Sequence, residues 1–212
     1  MKLKVTTLLA GALLMGSLSF AAAPAFIQDA QPIVYSRIDG STLTIQYPKI
    51  TASGNEAAAQ KISEYFASQA ADAKAFFDKK GQDHMRMTEE KNYDLTLNDG
   101  KYLSFIDKGS LYFDKKNHAT VWETGAVFDM ETGRQITDWH ELVKPGDEKY
   151  FTLKKINYLI GVSGHQLSSY FNGLTKDPTN FYLDKNRNIH FIFNQFEVSG
   201  DTIDINMQRQ AK

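Results

Sequence analysis

Tyr93-Asp94-Leu95-Thr96-Leu97-Asn98-Asp99-Gly100-Lys101-Tyr102-Leu103-Ser104-Phe105 is the stretch whose reading decides the fold. Its first five residues alternate polar and apolar in the way a half-buried strand does. Asn98-Asp99-Gly100 then reads as a turn, because Asn and Asp bond their own backbone and Gly accepts a positive φ. A longer strand-like run follows from Lys101 to Phe113 and another from Ala119 to Met130, separated by Asp114-Lys115-Lys116-Asn117-His118. Glu131-Thr132-Gly133-Arg134 is a further tight turn. Strands joined by turns this short lie antiparallel, since a parallel pair needs a crossover of about a dozen residues or more.

Upstream of this meander, Ile33–Ile38 and Thr42–Tyr47 are β-rich runs around Asp39-Gly40, a hairpin signal, and Pro48 is expected to stop the second of them. Residues 26–32 read as a start without strong structure. From Asn55 to about Lys80, Ile62, Tyr65, Phe66, Gln69, Ala70, Ala73, Phe76 and Phe77 recur at the spacing of one helix face. Asn55 or Ser53 can cap that helix, Lys79-Lys80-Gly81 suits its end, and residues 82–91 read as a loop. Downstream, 147 to about 172 reads as helical, with Gly161 and Gly164 as a bend or a break. Phe181–Leu183, Ile189–Phe196 and Thr202–Met207 read as closing strands. The expected class is α+β, a mostly antiparallel β-sheet covered by two principal helices. Residues 26–90 form the strand-pair and helix part and 91–212 the strand-rich part, the two packed as one unit.

The first residues stand outside that fold. Met1-Lys2-Leu3-Lys4 is a short basic start, Val5–Phe20 carries no charge, and Ala21-Ala22-Ala23-Pro24-Ala25 supplies small residues for signal peptidase. This is the layout of a secretory signal peptide, and its apolar run is short for a bilayer span. Ala23 and Ala25 at −3 and −1 place cleavage after Ala25, with cleavage after Ala21 as the alternative. Loss of 1–25 removes Lys2 and Lys4 and leaves 187 residues with 22 basic and 25 acidic side chains, a net charge of −3. That balance excludes a nucleic-acid binder acting through a strong positive field. The chain has no Cys, which excludes a lipidated-Cys anchor and a disulfide-stapled mini-domain. The expectation is an exported protein, periplasmic or extracellular, with no stable membrane insertion once the signal is removed.

No catalytic motif stands out. There is no Gly-x-Ser-x-Gly elbow, and without Cys the thiol routes are closed. Ser163 and His165 within Gly161-Val162-Ser163-Gly164-His165 sit side by side in sequence, and a bend explains the small residues there. His84, His118, His140, His165 and His190 show no ligand spacing, so neither a metal site nor a cofactor is expected. His140-Glu141-Leu142-Val143-Lys144 has Lys where a zinc helix needs its second His. Asp184-Lys185-Asn186-Arg187-Asn188 opens like a calcium loop, but Ile189 stands where Gly belongs, and a polar turn accounts for it.

The order of segments from Tyr93 to Met207 is similar to a known pattern. The resemblance rests on Tyr93–Phe105, then His118, then Phe128-Asp129-Met130-Glu131-Thr132-Gly133-Arg134-Gln135-Ile136-Thr137 and Trp139-His140-Glu141-Leu142. Phe181-Tyr182-Leu183 and Phe191-Ile192-Phe193-Asn194-Gln195-Phe196-Glu197-Val198 complete it. Together with Tyr47-Pro48-Lys49-Ile50 ahead of the Ala-rich helix, these resemble the extracytoplasmic domain of RsiV-type anti-sigma factors and the N-terminal region of PdaC-type peptidoglycan deacetylases. Family members carry a Gly-Gly-Ala-His-type turn between two central strands, and here it reads Lys116-Asn117-His118-Ala119.

The resemblance implies a binding or sensor-like envelope module, and its expected partners are a lysozyme-like protein or peptidoglycan fragments. The rival readings are a cell-wall hydrolase or deacetylase with an unrecognised site, and a secreted structural component. The surface expected to bind is the turn with its flanking strands: Tyr112, Asn117, His118, Trp122 and Glu123, on the ground that loops held by a rigid sheet carry function.

Overall fold

In a computed structural model of the protein, which describes residues 24–114 and 118–212, the chain opens with four short strands. These are β1 (Phe26–Asp29), β2 (Ile33–Ser36), β3 (Thr42–Ile45) and β4 (Pro48–Thr51). Helix α1 (Glu56–Gln82) precedes the meander β5 (Met87–Asn98), β6 (Tyr102–Phe113) and β7 (Thr120–Asp129), with β8 (Gln135–Ile136) after it. Helix α2 (Leu153–Gly161) and strands β9 (Phe181–Leu183), β10 (Asn188–Phe193) and β11 (Ile203–Gln210) complete the chain. The fold is α+β, as expected, with one six-stranded sheet in the order β2-β3-β5-β6-β7-β8. Its neighbours are antiparallel except β3 and β5, and α1 lies within the crossover that this parallel pair needs. Strand β5 runs through residues 90 and 91, so both parts of the chain share this sheet. The expected signal peptide over 1–25 falls mainly outside the described residues.

Four local expectations are corrected. Residues 26–29 form β1, which pairs with β4, and Pro48 opens a strand instead of merely stopping one. Pro lacks an N–H, so it is tolerated at the first position of an edge strand. The loop expected over 82–91 gives way to β5 at Met87. The helix expected over 147–172 shrinks to Leu153–Gly161, preceded by a short 3-10 turn at Glu148–Tyr150. Gly164 at φ +82° ends any helical continuation, and Leu167 leaves the helix pattern to pair with Ser199.

Helix α1 begins where Asn55 accepts the Ala58 N–H at 3.3 Å. The Asn55 amide also reaches the carbonyls of Met130 and Glu131, tying the helix start to the β7–β8 turn. At the other end the helix passes through Gly81. A Cβ there would stand 2.7 Å from Arg37 Nη1, and Arg37 itself lies 4.6 Å over the Phe77 ring and donates to the Phe77 carbonyl at 2.8 Å. Gly81 therefore serves as a contact surface, not as a stop.

Each face of the large sheet carries a core. On the α1 side, Phe66 meets Phe105 edge-on with centroids 5.1 Å apart, and Tyr65 meets Phe128 at 5.2 Å. On the other side the sheet β9-β10-β11 and α2 pack Phe191, Ile156 and Ile160 into a second cluster around Trp139. The Trp139 indole donates to the Pro178 carbonyl at 2.9 Å and lies 5.3 Å from Phe191. Each fully buried side chain of this size contributes about 1.5–3 kcal/mol by burial.

The two sheets meet at Gly125, where an added Cβ would stand 1.8 Å from the Phe181 carbonyl oxygen. Beside it, two side-chain amides satisfy backbone that β6 does not reach. Asn180 accepts the Gly125 N–H at 2.8 Å and donates to the Glu123 carbonyl. Asn194 accepts the Glu123 N–H at 2.7 Å and donates to the same carbonyl at 3.0 Å.

Ala25 bears on processing. It is buried, its N–H donates to Asn98 Oδ1 at 2.9 Å, and its carbonyl accepts from Asn98 Nδ2 at 2.6 Å. Cleavage after Ala25 would discard this clamp, whereas cleavage after Ala21 keeps it. Were the expected signal peptide removed, the intact mass of the native protein would separate the two sites: a chain starting at Ala22 keeps the clamp, and one starting at Phe26 lacks it. Asn98→Ala, which strands both Ala25 groups, is expected to cost about 1–3 kcal/mol in denaturant titration.

Candidate functional site

The residues chosen from the sequence do not converge. Trp122 and Glu123 are neighbours on β7 and so leave opposite faces of the sheet. Trp122 turns to the α1 side and lies across Gly109, where a Cβ would be 2.1 Å from its ring. Lys91 Nζ stands 5.9 Å from the same ring. Glu123 points the other way, 3.8 Å from Lys108, which also pairs with Asp94 at 2.5 Å. Tyr112 shares the Glu123 face but stands four residues along β6 from Lys108, the register partner of Glu123, which is about 13 Å of strand. His118 is exposed beside the turn, and Asn117 lies outside the described residues.

Two groups of titratable side chains lie elsewhere. Beneath α1, Glu89 and Asp107 are both only 4% exposed, and one oxygen of each has no partner among the described residues. Burial pushes the Asp107 carboxyl up to about 6, with Lys91 pulling it back. Burial raises Glu89 too, and the neighbouring Tyr65 hydroxyl is pushed up to about 12. On the outer face of the small sheet, His190 Nδ1 lies 2.8 Å from Asp204, and its Nε2 lies 3.4 Å from Asp184. Tyr182 donates to Asp204 at 2.6 Å. Burial alone would lower the His190 pKa, but Asp204 and Asp184 outweigh it and hold the imidazole above its ordinary value. Carboxylates facing both ring nitrogens favour the charged form of the imidazole.

Among the described residues, a cleft of about 740 Å³ opens between the segment after α2 and the β10–β11 connection. Gln166, Ser169 and Tyr170 form one wall, and Phe196, Gly200 and Asp201 the other. Its floor is the antiparallel bridge between Leu167 and Ser199, reinforced by the Ser168 N–H donating to the Val198 carbonyl at 2.9 Å. Tyr170 is 90% exposed and Phe196 72%. Phe196 sits at φ +73°, a left-handed conformation that is unusual for a bulky residue. Its N–H donates to the Ser199 carbonyl at 2.7 Å, and the Glu197 N–H donates to the Asn194 carbonyl at 3.0 Å. Asn194, whose side-chain amide clamps Glu123, thus also anchors through its backbone carbonyl the turn that presents Phe196.

Sequence reading places Tyr170 on a helix face and Phe196 at the end of a strand, where both would be core. The signal for a loop was in their neighbours: Ser168-Ser169, Asn172-Gly173 and Ser199-Gly200-Asp201 are clusters of turn formers. Ser163 is used otherwise, its hydroxyl donating to the Ile160 carbonyl at the end of α2 at 2.8 Å. Among the described residues no group of three or more His, Asp and Glu is placed to hold a metal ion. No described helix is long and apolar enough to cross a membrane.

No family model matches the sequence, and no curated protein matches it. Solved structures do match in fold. A DUF3298 family protein from Bacteroides fragilis aligns with a TM-score of 0.61 at 13% identity, over 91% of this chain and 95% of its own. A DUF3298 family protein from Pseudomonas aeruginosa aligns with a TM-score of 0.59 at 7% identity, over 87% of this chain and 90% of its own. The chain therefore has the fold of this domain family, whose function is unknown.

Proposed function

We propose that this chain is an exported envelope binding module, of the sensor-like kind found in RsiV-type and PdaC-type proteins, and that it binds its partner in the Tyr170–Phe196 cleft. One observation carries the reading: Phe196 is held in a left-handed backbone that turns its ring out to solvent across a cleft from Tyr170. Unfavourable backbone conformations persist where the surrounding structure enforces them, and they cluster at ligand-binding sites. Aromatic side chains are also enriched where proteins make contacts. An enzyme would instead gather titrating groups in its cleft. Here the displaced carboxyls Glu89 and Asp107 lie beneath α1, and His190 lies on the outer face of the small sheet.

The expected partners are a lysozyme-like protein or peptidoglycan fragments. Calorimetric titration of the purified chain with hen lysozyme and, separately, with soluble peptidoglycan fragments is expected to give a micromolar complex with one of them. Tyr170→Ala is expected to weaken that complex about tenfold while leaving the melting temperature unchanged. Failure of both titrations, binding indifferent to Tyr170→Ala, or turnover of the fragments seen by mass spectrometry would each overturn the proposal.

A further inference from the structure

We infer that the cleft between 166–170 and 196–201 is a saccharide site, in which Tyr170 and Phe196 offer ring faces to the C–H faces of sugar rings while Gln166, Ser169 and Asp201 bond their hydroxyls. The inference rests on the binding role proposed above and names the ligand class. A sugar ring is amphipathic on a small scale: apolar C–H patches alternate with hydroxyls that both donate and accept. A protein surface that matches it needs flat apolar plates interleaved with short polar side chains, and this cleft supplies both. The two rings belong to separate walls, and among the described residues neither is packed against another aromatic ring or a cation. Between them the Asp201 carboxylate, the Ser169 hydroxyl and the Gln166 amide have no side-chain partner among the described residues, so they remain available to a ligand.

Other ligand classes fit less well. A wholly apolar ligand would bury the Asp201 carboxylate unpaired, at a cost that scales with its lost hydration. A polyanion would meet Asp201 and, next to Phe196, Glu197. A strongly cationic partner would find a single carboxylate in the lining. The cleft is an open trough and not an enclosed cavity, which suits an extended oligosaccharide lying across both rings. Its volume falls in the ordinary range for ligand sites, about 300–1,000 Å³. The site is also organised before binding: hydrogen bonds to the carbonyls of Asn194, Ser199 and Val198 fix both walls. Little ordering remains to be done when the ligand arrives, which preserves affinity from otherwise weak contacts.

The probe is the β-1,4-linked N-acetylglucosamine tetramer, titrated into the whole mature chain and followed by calorimetry and by tyrosine fluorescence. Hen lysozyme runs as a parallel arm, and cellotetraose tests whether the acetamido groups matter. Micromolar-to-millimolar binding of at least one of the two saccharides is expected. Phe196→Gly keeps the left-handed backbone accessible while deleting the ring, and Tyr170→Ala deletes the other. Each is expected to weaken the saccharide about tenfold, while Tyr170→Phe keeps nearly full affinity and Asp201→Asn loses about threefold. Lysozyme binding that depends on Tyr170, with no saccharide binding up to 10-fold above about 1 mM, would overturn the saccharide assignment and leave the binding module standing. Saccharide binding unaffected by both ring deletions would overturn the site, and silence in every arm would overturn both readings.

Discussion

Gly125→Val is expected to cost at least about 3 kcal/mol, because it places a side chain into the closest approach between the two sheets. A Cβ at 125 would stand 1.8 Å from the Phe181 carbonyl oxygen and 2.3 Å from the carbonyl carbon. Both obstacles are backbone, and β9 is held from behind by β10 through Phe181 and Phe191. The clash is relieved only by separating the sheets, which also breaks the Asn180 hydrogen bonds to Gly125 and Glu123. For a chain of this length the melting temperature should fall on the order of 10 °C. Gly161→Ala is the control: it ends α2 with open space around it, and it should be neutral or slightly stabilising. Equal melting temperatures for Gly125→Val and the wild type would refute the packing described at this point.

Asp107→Asn is expected to change how stability depends on pH. The Asp107 carboxyl is pushed up to about 6 by burial, from an ordinary value of 3.8. A raised folded-state pKa means that the favourable contribution is complete below about 3.8 and is lost as pH rises through about 6. Glu89 and His190 act in the same direction, the latter over a window beginning near 6.5. Asp99 and Asp184 oppose them, since backbone and side-chain hydrogen bonds overcome their burial and hold both below the usual carboxylate range. Their contribution is lost in stronger acid. Wild-type stability should therefore peak in mild acid, near pH 4–5 on the order of these values, and decline towards pH 7.5. The amide cannot ionise, so Asp107→Asn should remove part of that decline and gain about 2 kcal/mol over the wild type at pH 7.5. At pH 4 it should gain nothing. Urea midpoints at the two pH values measure this, and parallel pH curves for both proteins would contradict it.

The meander at 93–130 is legible because its pairings are local: each strand is followed by its partner after a short turn, and alternation fixes the faces. Helix α1 is legible for the same reason, since its cap and its inward face lie within one segment. Strands β1 and β4 are not, because four-residue strands with 18 residues between them pair only once the rest has folded around them. At 162–172 the spacing of Leu167, Tyr170 and Phe171 imitates a helix, but the Leu167–Ser199 bridge claims the backbone first. Period-two alternation already separates Trp122 from Glu123, so part of the expected patch is divided by the sequence itself. The cleft, by contrast, joins residues 26 positions apart through that same bridge, and no local pattern announces it.

The amides of Asn180 and Asn194 have a consequence beyond the stretch of β7 they touch. A strand with unpaired N–H and C=O groups along one side is a template on which another chain can extend the sheet, and natural proteins block such sites. At Glu123 and Gly125 the blocking is done by two side chains that occupy the positions a foreign strand would need. Their rigidity comes from the beginning of β9 and the end of β10, so the guard is as stable as the small sheet itself. Crowding, where many copies of the chain meet as they fold, is the setting in which this matters most. A molecule whose small sheet has not yet docked still exposes this edge. The interval between forming the meander and docking β9 and β10 is then the time during which copies can join into polymers instead of finishing as separate molecules.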